Sequence, residues 1–442
     1  MKTKFKDTEI GMIPEDWKVD KIENYLDKII DYRGKTPKKS ESGVITISAK
    51  SIKNGKIDYN QTYFISEETF KKWEVRGKPH VGDILLTTEG PLGEVASYDR
   101  EDVAIAQRLI TLRGKDGKLD NNFLKYYLMS HIGQHQLHLR ATGTTVQGIK
   151  QSEFRKILIL ITTIKEQTSI AKILSDLDSK IELLQKQNKT LKAIGQATFK
   201  HWFVDFEFPD EEGKPYKSSG GEIVDSETGK IPKGWEVKNL GEFLNVIKGC
   251  SYKSEDLKES DKALITLKSI NRGGGFNQKG YKEYVGDYKE EQIVKDGDII
   301  VAQTDLTQAA EVIGTPAIVN SLNRYNELIV SLDLQILRIE EKLNKGFAYF
   351  LLKTAMFHNH ALSYTNGTTV LHLNKNAVPD FKFTLPNENI LDKFGKIAEQ
   401  ILEKGDKNEK EVYILSQIRD SLLPKLMSGE IRVKLKNLEI QK

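Results

Sequence analysis

Residues 166–203 read EQTSIAKILSDLDSKIELLQKQNKTLKAIGQATFKHWF. Apolar residues recur there in steps of four and three, at Ile170, Leu174, Leu177, Ile181 and Leu184, and again at Leu191. That spacing is the seam of a helix that pairs with another helix. Asn188 falls on the seam, where a polar side chain costs stability and can fix the register of pairing. The chain carries a second copy. Positions 220 further on are Ile390, Phe394, Ile397, Ile401, Lys404, Asn408 and Glu411. Four apolar positions and the asparagine return, Lys404 and Glu411 interrupt the stripe, and the spacing resumes at Leu415, Ile418 and Leu422. Because a folded domain separates the two stretches, 166–203 and 390–426 are expected to pair antiparallel.

The repeat extends outward from these helices. The opening motif Gly11-Met12-Ile13-Pro14-Glu15-Asp16-Trp17-Lys18-Val19 returns as Gly229-Lys230-Ile231-Pro232-Lys233-Gly234-Trp235-Glu236-Val237. In both, Gly-x-Ile-Pro supplies a turn and an extended lead-in, which the Trp anchors. Strand-like runs at 44–47 and 84–88 have counterparts at 264–267 and 299–303. A helix is expected over 121–138, with a counterpart over about 345–360. After each helix stands Gly-Thr-Thr-Val, at 143–146 and 367–370. The offsets drift only between 215 and 224, as short loop insertions in two copies of one unit would produce. Residues 205–221 read as a polar surface linker, and 432–442 as a basic, loosely ordered tail.

Composition bounds the function without naming it. The chain has 442 residues, 38% hydrophobic and 29% charged, enough for several domains. No apolar run approaches a membrane span, and the N-terminus lacks the apolar core of a signal peptide. A single cysteine, Cys250, rules out a disulfide framework and points to a reducing cytoplasm. A net charge of +4 permits nucleic-acid binding without demanding it.

Candidate catalytic and metal sites fail. His131, His135 and His138 share a helical face, but the second copy has Ala355, Asn359 and Leu362 there. The Gly273-Gly274-Gly275 run lacks the Lys-Ser/Thr of a phosphate loop, and no nucleophile elbow is present. What remains suits phosphates and base edges: polar and basic side chains at loops and strand ends. In the first copy these are Arg33, Lys35, Thr36, Thr87, Thr88, Gln107, Arg108, Thr144, Thr145 and Gln147. In the second they are Lys248, Ser251, Tyr252, Gln303, Thr304, Thr368, Thr369 and His372. Between the shared anchors the copies diverge, as two domains docking alike on different targets would.

The paired opening motifs, both Gly-Thr-Thr loops, the central Thr198-Phe199-Lys200-His201-Trp202-Phe203-Val204-Asp205-Phe206 and the terminal Leu422-Leu423-Pro424-Lys425-Leu426-Met427-Ser428-Gly429-Glu430-Ile431 together resemble the specificity subunits of type I restriction-modification systems. The likeness spans nearly the whole chain. It implies an α+β protein with a pseudo-two-fold internal repeat, in which an antiparallel two-helix coiled coil separates two α/β target-recognition domains. The expected divisions are 1–155, the first such domain; 156–208, the first spacer helix; 209–383, linker and second domain; and 384–442, the second helix and tail. The resemblance further implies binding of double-stranded DNA with a split target, and partnership with two methyltransferase subunits and with restriction-translocation subunits. It implies no catalysis, cofactor, metal or membrane for this chain. From the seam spacing, Asn188 and Asn408 are expected to lock the helical register. The other readings are a self-contained restriction-methylation enzyme and a coiled-coil protein scaffold.

Overall fold

The computed structural model describes residues 4–32, 36–306, 309–322, 324–368 and 370–433. The chain divides into two compact units, residues 1–182 with 414–442, and residues 183–413. Each unit holds one copy of the α/β region and part of each long helix.

In the first unit, Trp17 is fully buried, and the strand after it, Lys18–Lys21, pairs antiparallel with Leu158–Ile161, the strand that precedes the long helix. The domain is thus closed where it enters the helix. Its main sheet runs Leu92–Ser97, Ile84–Thr88, Leu109–Gly114, Leu26–Asp31, all antiparallel. A second four-stranded sheet contains one parallel pair, Val44–Ile47 with Ala104–Ile105. The second unit repeats both: Pro316–Ile318, Ile299–Ala302, Leu334–Ile339, Leu244–Lys248 in the main sheet, and Lys262–Ile265 parallel to Glu327–Val330 in the other. Glu236–Asn239 pairs with Lys382–Leu385 to close it.

The helix expected over 121–138 is two helices, Asn121–Met129 and His131–Leu139, and its counterpart is Lys345–Leu352 and Ala355–Ser363. The cause is a capping hydroxyl. Ser130 accepts from the amide of Gly133, and Thr354 from that of Phe357, each starting a fresh helix with extended backbone.

The long helices run over Ile164–Phe203 and Glu388–Met427, forty residues each. Within the second unit their directions are opposed. Asn188 meets Asn408, whereas Phe203, further along, meets Phe394, further back, with ring centroids 5.0 Å apart. The Asn408 amide donates to Asn188 Oδ1 at 2.9 Å, and Asn188 Nδ2 donates to the Gly405 carbonyl at 3.1 Å. Residues equivalent under the repeat face each other only where an antiparallel pair crosses its own midpoint, so that midpoint lies at these asparagines. Lys404 stands off the seam and is exposed; Gly405 lies beside Asn188 instead. A constant offset cannot see that one-residue change of face.

The two α/β regions rest on the helices through different chemistry. In the first unit Tyr126 donates to Asp178 at 2.7 Å, Arg419 pairs with the same carboxylate at 2.9 Å, and Lys56 lies 3.5 Å from Glu182. Burial, aided by Asp178, holds the Tyr126 phenol above its usual range. In the second unit Phe350 packs on Phe394, and the Cβ that Gly195 lacks would lie 2.2 Å from the Phe350 ring. One docking surface is hydrogen-bonded and charged, the other aromatic.

Two expectations for the connecting segments change. The stretch after the first helix is not a bare surface linker: Phe208 is buried, stacked on Tyr216 at 4.6 Å and on Trp235 at 4.7 Å. Nor is Arg432 loose. It spans Asp16, at 2.7 and 2.8 Å, and Glu166, at 2.7 Å, and lies over the Trp17 ring. The rest of the basic tail, 434–442, lies outside the described residues. The Arg432 guanidinium holds the Asp16 carboxyl below its usual range. Glu166 is only 3% exposed, so Arg432→Ala would leave a buried carboxylate without its cation. The expected loss is about 3 kcal/mol, read from chemical denaturation; a loss below about 1 kcal/mol would show that Trp17 and Thr162, its other two donors, suffice.

Candidate nucleic-acid interface

Three backbone segments converge at one edge of each α/β region, and they do so identically. In the first copy, the amide of Thr88 donates to the Arg108 carbonyl at 2.9 Å, and that of Ile149 to the Thr88 carbonyl at 2.9 Å. In the second, Gln303 donates to Asp333 at 2.8 Å, and Leu373 to Gln303 at 2.8 Å. Gly148 bridges both Glu89 and Thr142; correspondingly His372 pairs with Thr304 and Asn366. A glycine opens the turn in both. Gly143 has φ +106° and Gly367 φ +113°, and a Cβ there would meet the Val146 and Val370 carbonyl oxygens at 2.3 and 2.1 Å. Glycine is required twice over, by its dihedral and by that close approach. This is why the tetrapeptide recurs while its neighbours drift.

On this common frame the side chains differ. Arg108, held at φ +71°, pairs with Glu89 at 2.9 Å; the equivalent positions hold Asp333 and Thr304, whose hydroxyl lies 3.2 Å from the carboxylate. Gln147 Oε1 accepts from His138 Nδ1 at 3.2 Å, while its counterpart is Leu371. Thr144, Thr145 and Gln147 are exposed, as are Arg108 and Thr36; Gln107 is half-buried. In the second copy Lys248, Ser251, Thr368 and His372 are exposed and Tyr252 and Gln303 half-buried. Cys250, between Lys248 and Ser251, donates its amide to the Val330 carbonyl at 2.8 Å, accepts from the Leu332 amide at 2.7 Å and bridges Ser331, which brings that segment beside Leu332 and Asp333.

Three of the expected residues leave this surface. Thr87, Thr88 and Thr304 are 0%, 1% and 3% exposed. Thr87 accepts from the Glu94 amide at 2.8 Å, and Thr304 serves Asp333. They sit on strands buried on both faces, where alternation does not report which side meets water. Arg33, Lys35 and Thr369 lie outside the described residues. The sequence reading missed Glu89 and Asp333. Only a search for charge at the partner of Arg108 would have found them, and its offset of 225 falls just beyond the drift of the other anchors.

His131 and His135 stack at 6.3 Å, and no group of three potential metal ligands converges among the described residues. Among the same residues, no helix is long and apolar enough to cross a membrane.

The family described as "Type I restriction modification DNA specificity domain" matches twice, over residues 14–193 and 232–420. The type I restriction enzyme MjaIX specificity subunit of Methanocaldococcus jannaschii is 29% identical, covering 98% of this chain and 97% of its own length. The putative MjaX specificity subunit of the same organism is 25% identical over 97% of each. In fold, the chain is similar to the crystal structure of a type I restriction-modification S subunit from M. genitalium, with TM-score 0.58 and 19% identity over 99% of this chain and all of that one.

Proposed function

Because the chain belongs to the type I restriction-modification DNA specificity family, we propose that it is the subunit that chooses the DNA sequence on which a restriction-modification complex acts. Residues 1–155 and 209–383 each read one half of a split duplex target. The helical regions, 156–208 and 384–442, set the spacing between the halves and offer a docking surface to two methyltransferase subunits, with restriction-translocation subunits joining for cleavage. The chain itself carries no catalysis and needs no cofactor.

One observation carries this reading: the family matches both copies, and the two share one backbone frame on which the exposed side chains differ. A common frame lets both domains approach the phosphates alike, while unlike side chains read unlike bases. The reading set is Thr36, Gln107, Arg108, Thr144, Thr145 and Gln147 in the first domain. In the second it is Lys248, Ser251, Tyr252, Gln303, Thr368 and His372. Asn188 and Asn408 lock the helices in register: a slip would part the asparagines and bury their amides unpaired.

Fluorescence anisotropy on duplexes carrying the host's methylation motif tests it. The chain with its methyltransferase partners is expected to prefer that motif over a scrambled one, with log K falling linearly in log salt. The purified chain, given Mg²⁺ and S-adenosylmethionine, is expected neither to cut nor to methylate. Cutting or methylation by the chain alone would favour the self-contained enzyme, and binding without sequence preference would remove the reader role.

A further inference from the structure

At the converging edge each copy serves as a control for the other, and one buried position breaks the match. In the first copy Leu86 stands opposite Ile110; in the second, Val301 stands opposite Gln335, with Thr88 and Gln303 two residues further along. Ile110 is fully buried in an apolar core. Gln335 is almost as deep, 2% exposed, yet its Oε1 has no hydrogen-bond partner among the described residues. An amide oxygen left unmet in a core opposes folding, and the first copy shows that isoleucine fills the same place without that penalty. Packing alone does not call for glutamine here.

A second unmet oxygen lies beside it. Gln303 is half-buried, and its Oε1 too is buried without a partner among the described residues. The register puts both side chains on one face of the sheet. Val301 pairs with Gln335, and the Gln303 amide donates to the Asp333 carbonyl, so Gln303 and Gln335 are diagonal neighbours. Diagonal neighbours in an antiparallel pair stand about 7–8 Å apart, within reach of two long side chains. The first copy, with Thr88 and Ile110 at these places, has no such pair of amides.

We propose that Gln335 is a positioning residue for Gln303, the two amides pairing reciprocally when the second domain meets DNA. Each nitrogen then donates to the other's oxygen, which satisfies both unmet acceptors. The Gln303 oxygen is held inward, where it already lies, and the remaining N–H of its amide is left to face a base. Gln303 so placed reads as a donor. In the major groove a donor suits the keto bases, guanine through O6 and N7 or thymine through O4, and is opposed by the amino groups of adenine and cytosine. Gln335 thus sets which kind of base edge Gln303 accepts, without touching DNA itself. The inference rests on the reading of this chain as the subunit that chooses the DNA sequence, and adds to it one residue and one class of base.

The test uses the full chain with its methyltransferase partners and duplexes carrying the host's methylation motif, substituted one base pair at a time, in competition anisotropy. Gln303→Ala identifies the base pair that Gln303 reads, and the unsubstituted complex is expected to prefer a keto base there. Gln335→Ile, which copies the first domain, is expected to keep or raise Tm and to bind the motif nearly as tightly. At that one pair it is expected to lose at least about fivefold of the preference for keto over amino bases, because the Gln303 amide is free to turn over. In the Gln303→Ala background the same change is expected to alter nothing further at that pair. If Gln335→Ile does not fold, Gln335→Met takes its place. Full discrimination at that pair in a folded variant, equal weakening on every duplex, or an amino base preferred there by the unsubstituted complex would overturn the proposal. An unsubstituted complex with no preference for the motif would instead remove the reader role, and this proposal with it.

Discussion

Replacing residues 20–148 with the matching segment of another member of the family is expected to rewrite one half of the DNA target and leave the other half untouched. The segment carries the converging edge of the first domain as far as Gly148, including Glu89, Arg108 and the Gly143 turn. It leaves in place Leu158–Ile161 and the long helix that follows. Base readout is local, each good bidentate contact discriminating by about 1–3 kcal/mol, so nothing in the exchanged segment can specify bases read by the other domain. Mapping methylated bases after reconstitution with the methyltransferase subunits reads the outcome directly. Both halves changing together would end the two-reader description. The exchange has one structural condition: a donor segment lacking Tyr126 removes a hydrogen bond from the partly buried Asp178, at a cost of about 1–2 kcal/mol.

The second large effect concerns spacing. Each long helix, at forty residues, is roughly 60 Å long at about 1.5 Å per residue. That is about 18 base pairs at roughly 3.4 Å each, room for two short half-sites and an unread gap. Inserting one heptad into both helices at opposing positions keeps the seam in phase and adds about 10.5 Å. The preferred gap is expected to grow by about 3 base pairs. Because about 3 base pairs also turn the duplex by roughly 100°, given about 10.5 per turn, the longer site must be twisted to fit and is expected to bind more weakly. A variant that assembles and still methylates the original spacing would show that the helices do not measure distance.

Much of this architecture is legible in the sequence, because the signals that specify it are periodic. Seam residues from Ile170 to Leu191 and the returning Asn408 identify the helices, and the recurring Gly-x-Ile-Pro and Gly-Thr-Thr-Val punctuation marks the repeat. The signals that fail are those where one atom decides. Ser130 and Thr354 break helices whose apolar pattern runs on through the break. A constant offset puts Lys404 on the seam, whereas the contact falls on Gly405. At the interface, Gly143 and Gly367 are readable because their φ admits little else. The Arg108–Glu89 pair is not, since it forms between turns nineteen residues apart. Burial of Thr87, Thr88 and Thr304 is likewise hidden, because a strand covered on both faces shows no alternation.

The covering of the two tryptophans has a consequence for how such a chain comes into being. Trp17 is roofed by Arg432, from the last residues described, and Trp235 by Phe208, from the middle. Each half of the sequence therefore completes the other's beginning and leaves its own beginning unfinished. A cut between Phe208 and Trp235 is therefore expected to leave Trp17 without its guanidinium and Trp235 without its stacked ring, each open to water until the two fragments meet again.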